Sequence, residues 1–237
     1  EVMEEMIAHE IPCIVISRNL APTKPMIDAV QKHHIPLMRT KMKSKEFSAE
    51  VLVRLDRMFA PRMSLHGTLL DIKGIGTLIR GDSGIGKSEC ALALIDHGHP
   101  LVADDLVYCQ KIGDDTILGK GNELNRGYME CRGIGIINVA ELFGIRCVRL
   151  EKSIDMIVTF VEWQPGIVED RTGLDKNYFD VLGVQIPHFI IPVRPGRDMA
   201  RLVEVAAMVQ ALRRMGHDGA KAFNERLIAH MKSEMEK

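Results

Sequence analysis

The octapeptide Gly81-Asp82-Ser83-Gly84-Ile85-Gly86-Lys87-Ser88 constrains this chain more than any other stretch. It fits the phosphate-loop pattern G-x-x-x-x-G-K-[ST]. The glycines let backbone N–H groups turn inward around phosphates, the lysine reaches the terminal phosphates, and the final hydroxyl ligates Mg²⁺. Such a loop needs a strand before it and a helix after it. Residues 76–80 read as a short β-type stretch, and residues 88–95 are rich in helix formers. The helix N-terminus adds an attraction for anions. The pattern therefore implies a nucleoside triphosphate ligand.

At 237 residues the chain suits one domain of fair size, or one plus part of another. Thirty-one basic and thirty-two acidic side chains leave a formal charge of -1. No global field then favours nucleic acid or an anionic membrane. No apolar run approaches the roughly 18 residues that span a bilayer, and Glu1, Glu4 and Glu5 do not resemble a signal peptide. The five cysteines are scattered and form no C-x-x-C pair, which predicts no disulfide framework or structural zinc and a reducing cytoplasm as the setting. Cys90, in the first turn after the loop, is read as a buried packing residue.

Residues 11–17 and 35–39 read as strands, and residues 23–33 and 48–59 as helices. The second helix places Val51, Leu52, Leu55, Met58 and Phe59 on one face. This β-α-β-α order suits an α/β layer and carries no catalytic motif. Residues 60–64 read as a linker. Residues 68–72 and 77–80 read as strands around a hairpin turn at 73–76, and the helix after the phosphate loop is expected to stop near His97-Gly98. Residues 101–103, 107–111, 146–150, 156–161 and 189–193 are further β-type stretches. Two helices close the chain, separated by Gly216, with Asp218 as a candidate cap for the second. Their apolar stripes, Met199 to Leu212 and Phe223 to Met231, read as core or subunit-packing faces.

A phosphate loop alone does not say what happens to the terminal phosphate. That requires a group to activate the nucleophile, a metal ligand and positive charge for the transition state. Asp104 and Asp105 follow an apolar strand, where a carboxylate can hold Mg²⁺ and another can take a proton. Their side chains diverge on a strand, so equal roles are not expected. Glu130 and Arg132, among the glycines of residues 128–138, combine an acid and a base suited to a metal and a phosphate. His66, Arg171 and the segment Pro192-Val193-Arg194-Pro195-Gly196-Arg197 supply further candidates.

Taken together, His66-Gly67-Thr68-Leu69-Leu70-Asp71-Ile72, the loop 81–88, Leu101-Val102-Ala103-Asp104-Asp105, the stretch 129–139, Glu169-Asp170-Arg171 and residues 192–197 resemble the bacterial HPr kinase/phosphorylase family. The resemblance implies an α/β fold: a P-loop catalytic domain with a phosphoenolpyruvate-carboxykinase-like core over residues 66–237, including C-terminal helices over 198–237. It also implies a linker at 61–65 and, over residues 1–60, the later part of a smaller α/β N-terminal domain whose opening portion lies outside this sequence. It implies a homohexamer that uses ATP and Mg²⁺ to phosphorylate a seryl hydroxyl on HPr, the phosphocarrier of the sugar phosphotransferase system. The reverse reaction would use inorganic phosphate and yield pyrophosphate.

Under that resemblance Lys87 holds the β- and γ-phosphates, and Ser88 and Glu130 ligate Mg²⁺. Asp105 exchanges the seryl proton while Asp104 supports it, an assignment that the sequence leaves open to reversal. His66 sits by the phosphate, Arg132 assists, Arg171 stabilises the transferred group, and residues 192–197 serve dephosphorylation. Two rival readings are a P-loop kinase of a small metabolite and a non-enzymatic nucleotide sensor. Acceptor specificity separates the first, and the joint presence of Lys87, Asp105, Glu130 and Arg171 speaks against the second.

Overall fold

A computed structural model describes residues 2–165 and 172–235. The chain divides into two compact units, Glu1–Phe59 and Ala60–Lys237. The first contains α1 (Val2–Ile7), β1 (Ile14–Ile16), α2 (Lys24–Lys32), β2 (Leu37–Arg39) and α3 (Ser44–Phe59). β1 and β2 run parallel with Ile14 opposite Leu37, joined by α2 as a parallel pair requires. Both strands are shorter than their apolar runs predicted, and α3 starts earlier. The apolar stripe of α3 is present, yet no residue of that helix is buried, and Leu52, Leu55, Met58 and Phe59 are exposed.

The second unit is built on strands β3 (Arg62–His66), β4 (Thr68–Ile72), β5 (Ile75–Gly81), β6 (Leu101–Ala103), β7 (Leu106–Ile112), β8 (Thr116–Lys120), β9 (Tyr128–Cys131), β10 (Gly135–Asn138), β11 (Glu151–Ser153), β12 (Met156–Glu162), β13 (Asn177–Val181) and β14 (Val184–Val193). Its helices are α4 (Lys87–Asp96), α5 (Val139–Phe143), α6 (Met199–Arg214) and α7 (Gly219–Met235). A six-stranded sheet has the order β13-β14-β12-β5-β4-β6, and a four-stranded sheet the order β11-β8-β7-β3. β9 and β10 form a separate hairpin.

The central strands β4, β5 and β12 of the six-stranded sheet are buried on both faces because they carry apolar residues at successive positions. Alternation sends Ile79, Met156, Val158 and Phe160 to one side, where they pack with Leu94 of α4 and Val203 and Ala207 of α6. Leu69, Leu78 and Ile157 go to the other side and meet Val107, Cys109 and Ile117 of the four-stranded sheet. Cys90 belongs to the first core, and burial pushes its thiol up to about 12. All five cysteines are free.

The expected hairpin between β4 and β5 forms around Lys73 and Gly74, whose φ values of 51° and 89° make the two-residue turn that matches strand twist. Two expectations are corrected. Residues expected as a linker form β3, an edge strand paired with β7. Only Leu65 of β3 is buried, so the sequence pattern there is too weak to announce a strand. Pro61 precedes it, where a proline is tolerated, and its carbonyl accepts from Lys111 N–H at 3.0 Å. Residues 146–150 are not a strand. Gly144, at φ 93°, ends α5 and opens a short 3-10 turn over Ile145–Cys147. Of the α6 stripe Val203 and Ala206 are core while Val209 and Leu212 are exposed, and Phe223, Leu227, Ile228 and Met231 of α7 are exposed as well.

α4 and α6 are tied by one buried carboxylate. Glu204 Oε1 bonds to His99 Nε2 at 2.8 Å and His97 Nδ1 at 3.2 Å, and Oε2 accepts from Arg201 at 3.0 Å. Burial acts to raise its pKa, but the bonds from His99, Arg201 and His97 outweigh it and hold the carboxyl at about 2. A carboxyl depressed on folding contributes stability above its ordinary value and loses it as pH falls through the folded one. Glu204→Gln is expected to lower stability at neutral pH by about 1–2 kcal/mol. It should also flatten the loss of stability between about pH 5 and pH 2, as measured by urea unfolding at stepped pH.

Candidate active site

β5 delivers the chain into the phosphate loop at Gly81, and α4 begins at Lys87 with Gly86 as its N-cap at φ 101°. Gly81 has φ 143°, and a Cβ there would lie 2.6 Å from the Phe160 carbonyl oxygen in the adjacent strand β12. The loop can therefore lie flat against the sheet only with glycine at this position. Lys87 Nζ donates to the carbonyls of Gly81 and Asp82 at 2.8 Å each, so the ammonium is already drawn over the loop. Ile85 turns the other way and packs on the α4–α6 core.

The paired acids arise from a corner between the two sheets. β3 pairs with β7, His66 opposite Leu106, and β4 pairs with β6, Leu69 opposite Ala103. Between these ladders Gly67 N–H donates to the Asp105 carbonyl at 3.0 Å, and Leu106 N–H to the Asp104 carbonyl at 2.8 Å. The strand pair thus passes from one sheet to the other at Gly67 and Asp105. Gly67 has φ 152°, with the Ile79 carbonyl 2.5 Å from where a Cβ would stand. Asp105 takes φ 65°, a left-handed conformation uncommon outside glycine, asparagine and aspartate.

Opposite Asp104 stands Thr68, whose hydroxyl donates to Asp104 Oδ1 at 2.8 Å, while Glu130 N–H donates to Oδ2 at 3.4 Å. Burial pushes the Asp104 carboxyl up from its ordinary value, against the bonds from Thr68, Glu130 and Asp105 N–H, and the Asp105 charge adds to the rise. In the β9–β10 hairpin Met129 and Cys131 are buried while Glu130 is exposed. Beyond it Arg132 donates to Ser83 Oγ of the phosphate loop at 2.7 Å.

These elements enclose a cavity of about 160 Å³. Lys87, Ser88, Asp104, Asp105, Glu130 and Arg132 line it, as do Ser83, Gly84 and Gly86 of the loop. Thr68 and Glu89 line it too, two residues to which the sequence assigned no role. Their signal was position: Thr68 lies two residues after His66 in the quoted motif, and Glu89 follows Ser88. The oxygen donors lining the cavity are three hydroxyls (Thr68, Ser83 and Ser88) and four carboxylates (Glu89, Asp104, Asp105 and Glu130). Oxygen ligands of this kind fit a hard cation such as Mg²⁺, which keeps waters and takes few protein ligands. Lys87, Arg132 and the α4 N-terminus provide the opposite charge for phosphates.

His66 does not line this cavity. It ends β3 with an exposed side chain, and its carbonyl accepts from Arg80 Nε at 3.3 Å. Arg171 lies outside the described residues. β5, β12 and β14 run parallel, with Gly81 beside Phe160 and Phe160 beside Ile191. Their carboxyl ends share one edge of the sheet, where ligands of such sheets bind. Residues 192–197 start at that edge, since Pro192 and Val193 finish β14. Arg194 stacks over the Trp163 ring at 4.7 Å and Arg197 donates to the Pro192 carbonyl at 3.3 Å. Arg197 lines a separate groove of about 820 Å³ between β14 and α6, not the phosphate-loop cavity.

The family model described as HPr Serine kinase C-terminal domain matches residues 57–227, and the one described as HPr Serine kinase N terminus matches residues 1–55. The chain belongs to the HPr serine kinase family. A relative named HPr kinase/phosphorylase from Caldanaerobacter subterraneus subsp. tengcongensis is 43% identical over 225 residues, which cover 95% of this chain and 74% of the relative. One of the same name from Caldicellulosiruptor bescii is 40% identical over 231 residues, covering 98% and 74%. Among solved structures, the Hpr(Ser) kinase/phosphatase from Coxiella burnetii superposes with a TM-score of 0.61 at 33% identity, covering 69% of this chain and 99% of that one. The family inferred from the motifs is thus the family found, and the α/β fold is shared with it.

Gly81→Ala tests the flat approach of the loop to the sheet. Its Cβ meets a backbone oxygen that cannot swing away, so the variant is expected to lose about 1–3 kcal/mol of stability. It should also weaken binding of a fluorescent ATP analogue, read by titration beside a urea melt.

Proposed function

We propose that this chain is a bifunctional protein-serine kinase and phosphorylase acting on HPr, with ATP and Mg²⁺ in one direction and inorganic phosphate in the other. The observation that carries this reading is the meeting of Lys87, Ser88, Asp104, Asp105 and Glu130 in one cavity, in a chain of the HPr serine kinase family. Lys87 exchanges its loop carbonyls for the β- and γ-phosphates, and the loop N–H groups hold the remaining oxygens. Ser88 and Glu130 are the protein's ligands for Mg²⁺. When bound, that ion neutralises charge between the β- and γ-phosphates.

Asp105, exposed at the corner, takes the proton from the seryl Oγ of HPr as the phosphoryl group arrives. In phosphorolysis an oxygen of inorganic phosphate attacks the same phosphorus. Asp105 then returns the proton to the departing seryl oxygen, and pyrophosphate is the product. The bonds that fix Asp104 to Thr68 and Glu130, beside an Asp105 that is exposed to an incoming hydroxyl, support this division. Arg132 and Arg171 are assigned to charge on the transferred group, and residues 192–197 to the phosphorolytic direction. His66 is assigned a place beside the reacting phosphate from the family resemblance. Phosphoryl transfer asks a protein for positioning and charge neutralisation, so one cradle can serve both directions. A homohexamer in the cytoplasm completes the reading. Among the described residues no helix is long and apolar enough to cross a membrane.

Mass spectrometry of HPr incubated with the chain, ATP and Mg²⁺, then with excess inorganic phosphate, is the direct check. A seryl phosphate should appear and then vanish with release of pyrophosphate. Turnover of a small-molecule acceptor with none on HPr would overturn the reading. Lys87→Ala is expected to lower kcat/KM by about 10²–10³. Asp105→Asn should lower kcat by about 10²–10⁴ in both directions while the ATP analogue still binds.

A further inference from the structure

We propose that Thr68 is a positioning residue for phosphoryl transfer: with Glu130 N–H, its hydroxyl locks the Asp104 carboxylate, and this lock sets where Asp105 presents its own. The inference rests on the reading of the site given above.

Thr68 is 1% exposed, the first residue of a strand otherwise apolar save for Asp71. Valine would match its shape and its strand preference, so packing alone gives no reason for a hydroxyl here. A buried hydroxyl needs a partner, and this one has Asp104 Oδ1 at 2.8 Å. The antiparallel register of β4 and β6 sets the two residues face to face.

Asp104 in turn spends its second oxygen on Glu130 N–H. One carboxylate therefore ties the start of β4, the corner after β6 and strand β9, the three elements that carry Thr68, Asp105 and Glu130 into the cavity. Turning the Asp104 side chain breaks both bonds together. Asp105 is the next residue, held by Gly67 N–H on its carbonyl and by its own N–H to Asp104, while its carboxylate takes no hydrogen bond among the described residues. Its direction is thus inherited from the backbone that Thr68 and Gly67 clamp. A loss of about 1 Å in such placement can cost about 10²-fold in rate.

The test compares the full chain with Thr68→Val, Thr68→Ser, Asp104→Asn and the double variant Thr68→Val/Asp104→Asn, with HPr as acceptor. Thr68→Val is expected to lower kcat about 10–100-fold with ATP-analogue affinity within about twofold. Thr68→Ser should stay within about threefold of the parent, because the donor is restored. Adding Thr68→Val to Asp104→Asn should cost nothing further, because both act through one bond. Undiminished kcat in Thr68→Val, equal loss in Thr68→Ser, or additive losses in the double variant would each overturn the proposal.

Amide exchange at Glu130 reads the same clamp with no acceptor present. It should be faster in Thr68→Val, while equal urea melts show that both proteins are folded. If the parent chain fails to phosphorylate HPr, the functional reading falls by itself, and an unchanged exchange rate at Glu130 would still overturn the clamp.

Discussion

A backbone bond of 3.0 Å, from Gly67 N–H to the Asp105 carbonyl, spans the place where one pair of strands leaves the four-stranded sheet and enters the six-stranded one. The passage demands unusual backbone at both residues. Gly67 lies too close to the Ile79 carbonyl for any side chain, and Asp105 adopts a positive φ. Because the ladder keeps its register across the corner, Thr68 falls opposite Asp104, and Asp105 is turned out towards the phosphate loop. The acidic half of the site is therefore a by-product of how two sheets are joined, a usual use of bends at sheet corners.

The basic half is organised by the neighbouring strand. β5 is buried along most of its length and ends at Gly81, so the loop departs from a rigid support. Its partners β12 and β14 run the same way, which brings the segments following all three to one edge. Helix α4 then points its N-terminus at the cavity, while its far end is fastened to α6 through Glu204. Rigid elements hold the charged groups on both sides of a small space, which is what catalysis by charge neutralisation requires.

Four carboxylates against two cations would repel one another in a site meant only for anions. The balance makes sense where phosphates and a divalent cation arrive together, each compensating the other. Asp104 and Asp105 show how adjacent acids can diverge in role. One is half-buried and bonded through both oxygens, and the other is exposed and held only through its backbone. Spacing in the sequence could not rank them, because burial and bonding depend on Thr68 and Glu130, residues 36 and 26 positions away from Asp104.

Local patterns were legible wherever the chain uses local chemistry. The phosphate loop, its strand and helix, the Lys73-Gly74 turn and the Gly216 stop follow from φ preferences and apolar periodicity within a few residues. β3 was read as a linker because only Leu65 of it is buried, and residues 146–150 were read as a strand because Gly144 redirects them. His66 stands out by residue type although its exposed side chain does not line the cavity, and Thr68 is silent because a buried threonine in an apolar strand resembles any other. The sequence alone determined that residues 81–88 carry a phosphate-loop pattern and that the chain belongs with the HPr serine kinases, since those motifs are contiguous and legible from adjacent residues. Which acid is clamped, which is presented, and that Thr68 does the clamping were decided only by tertiary structure, because those relations are set by strand register across two sheets.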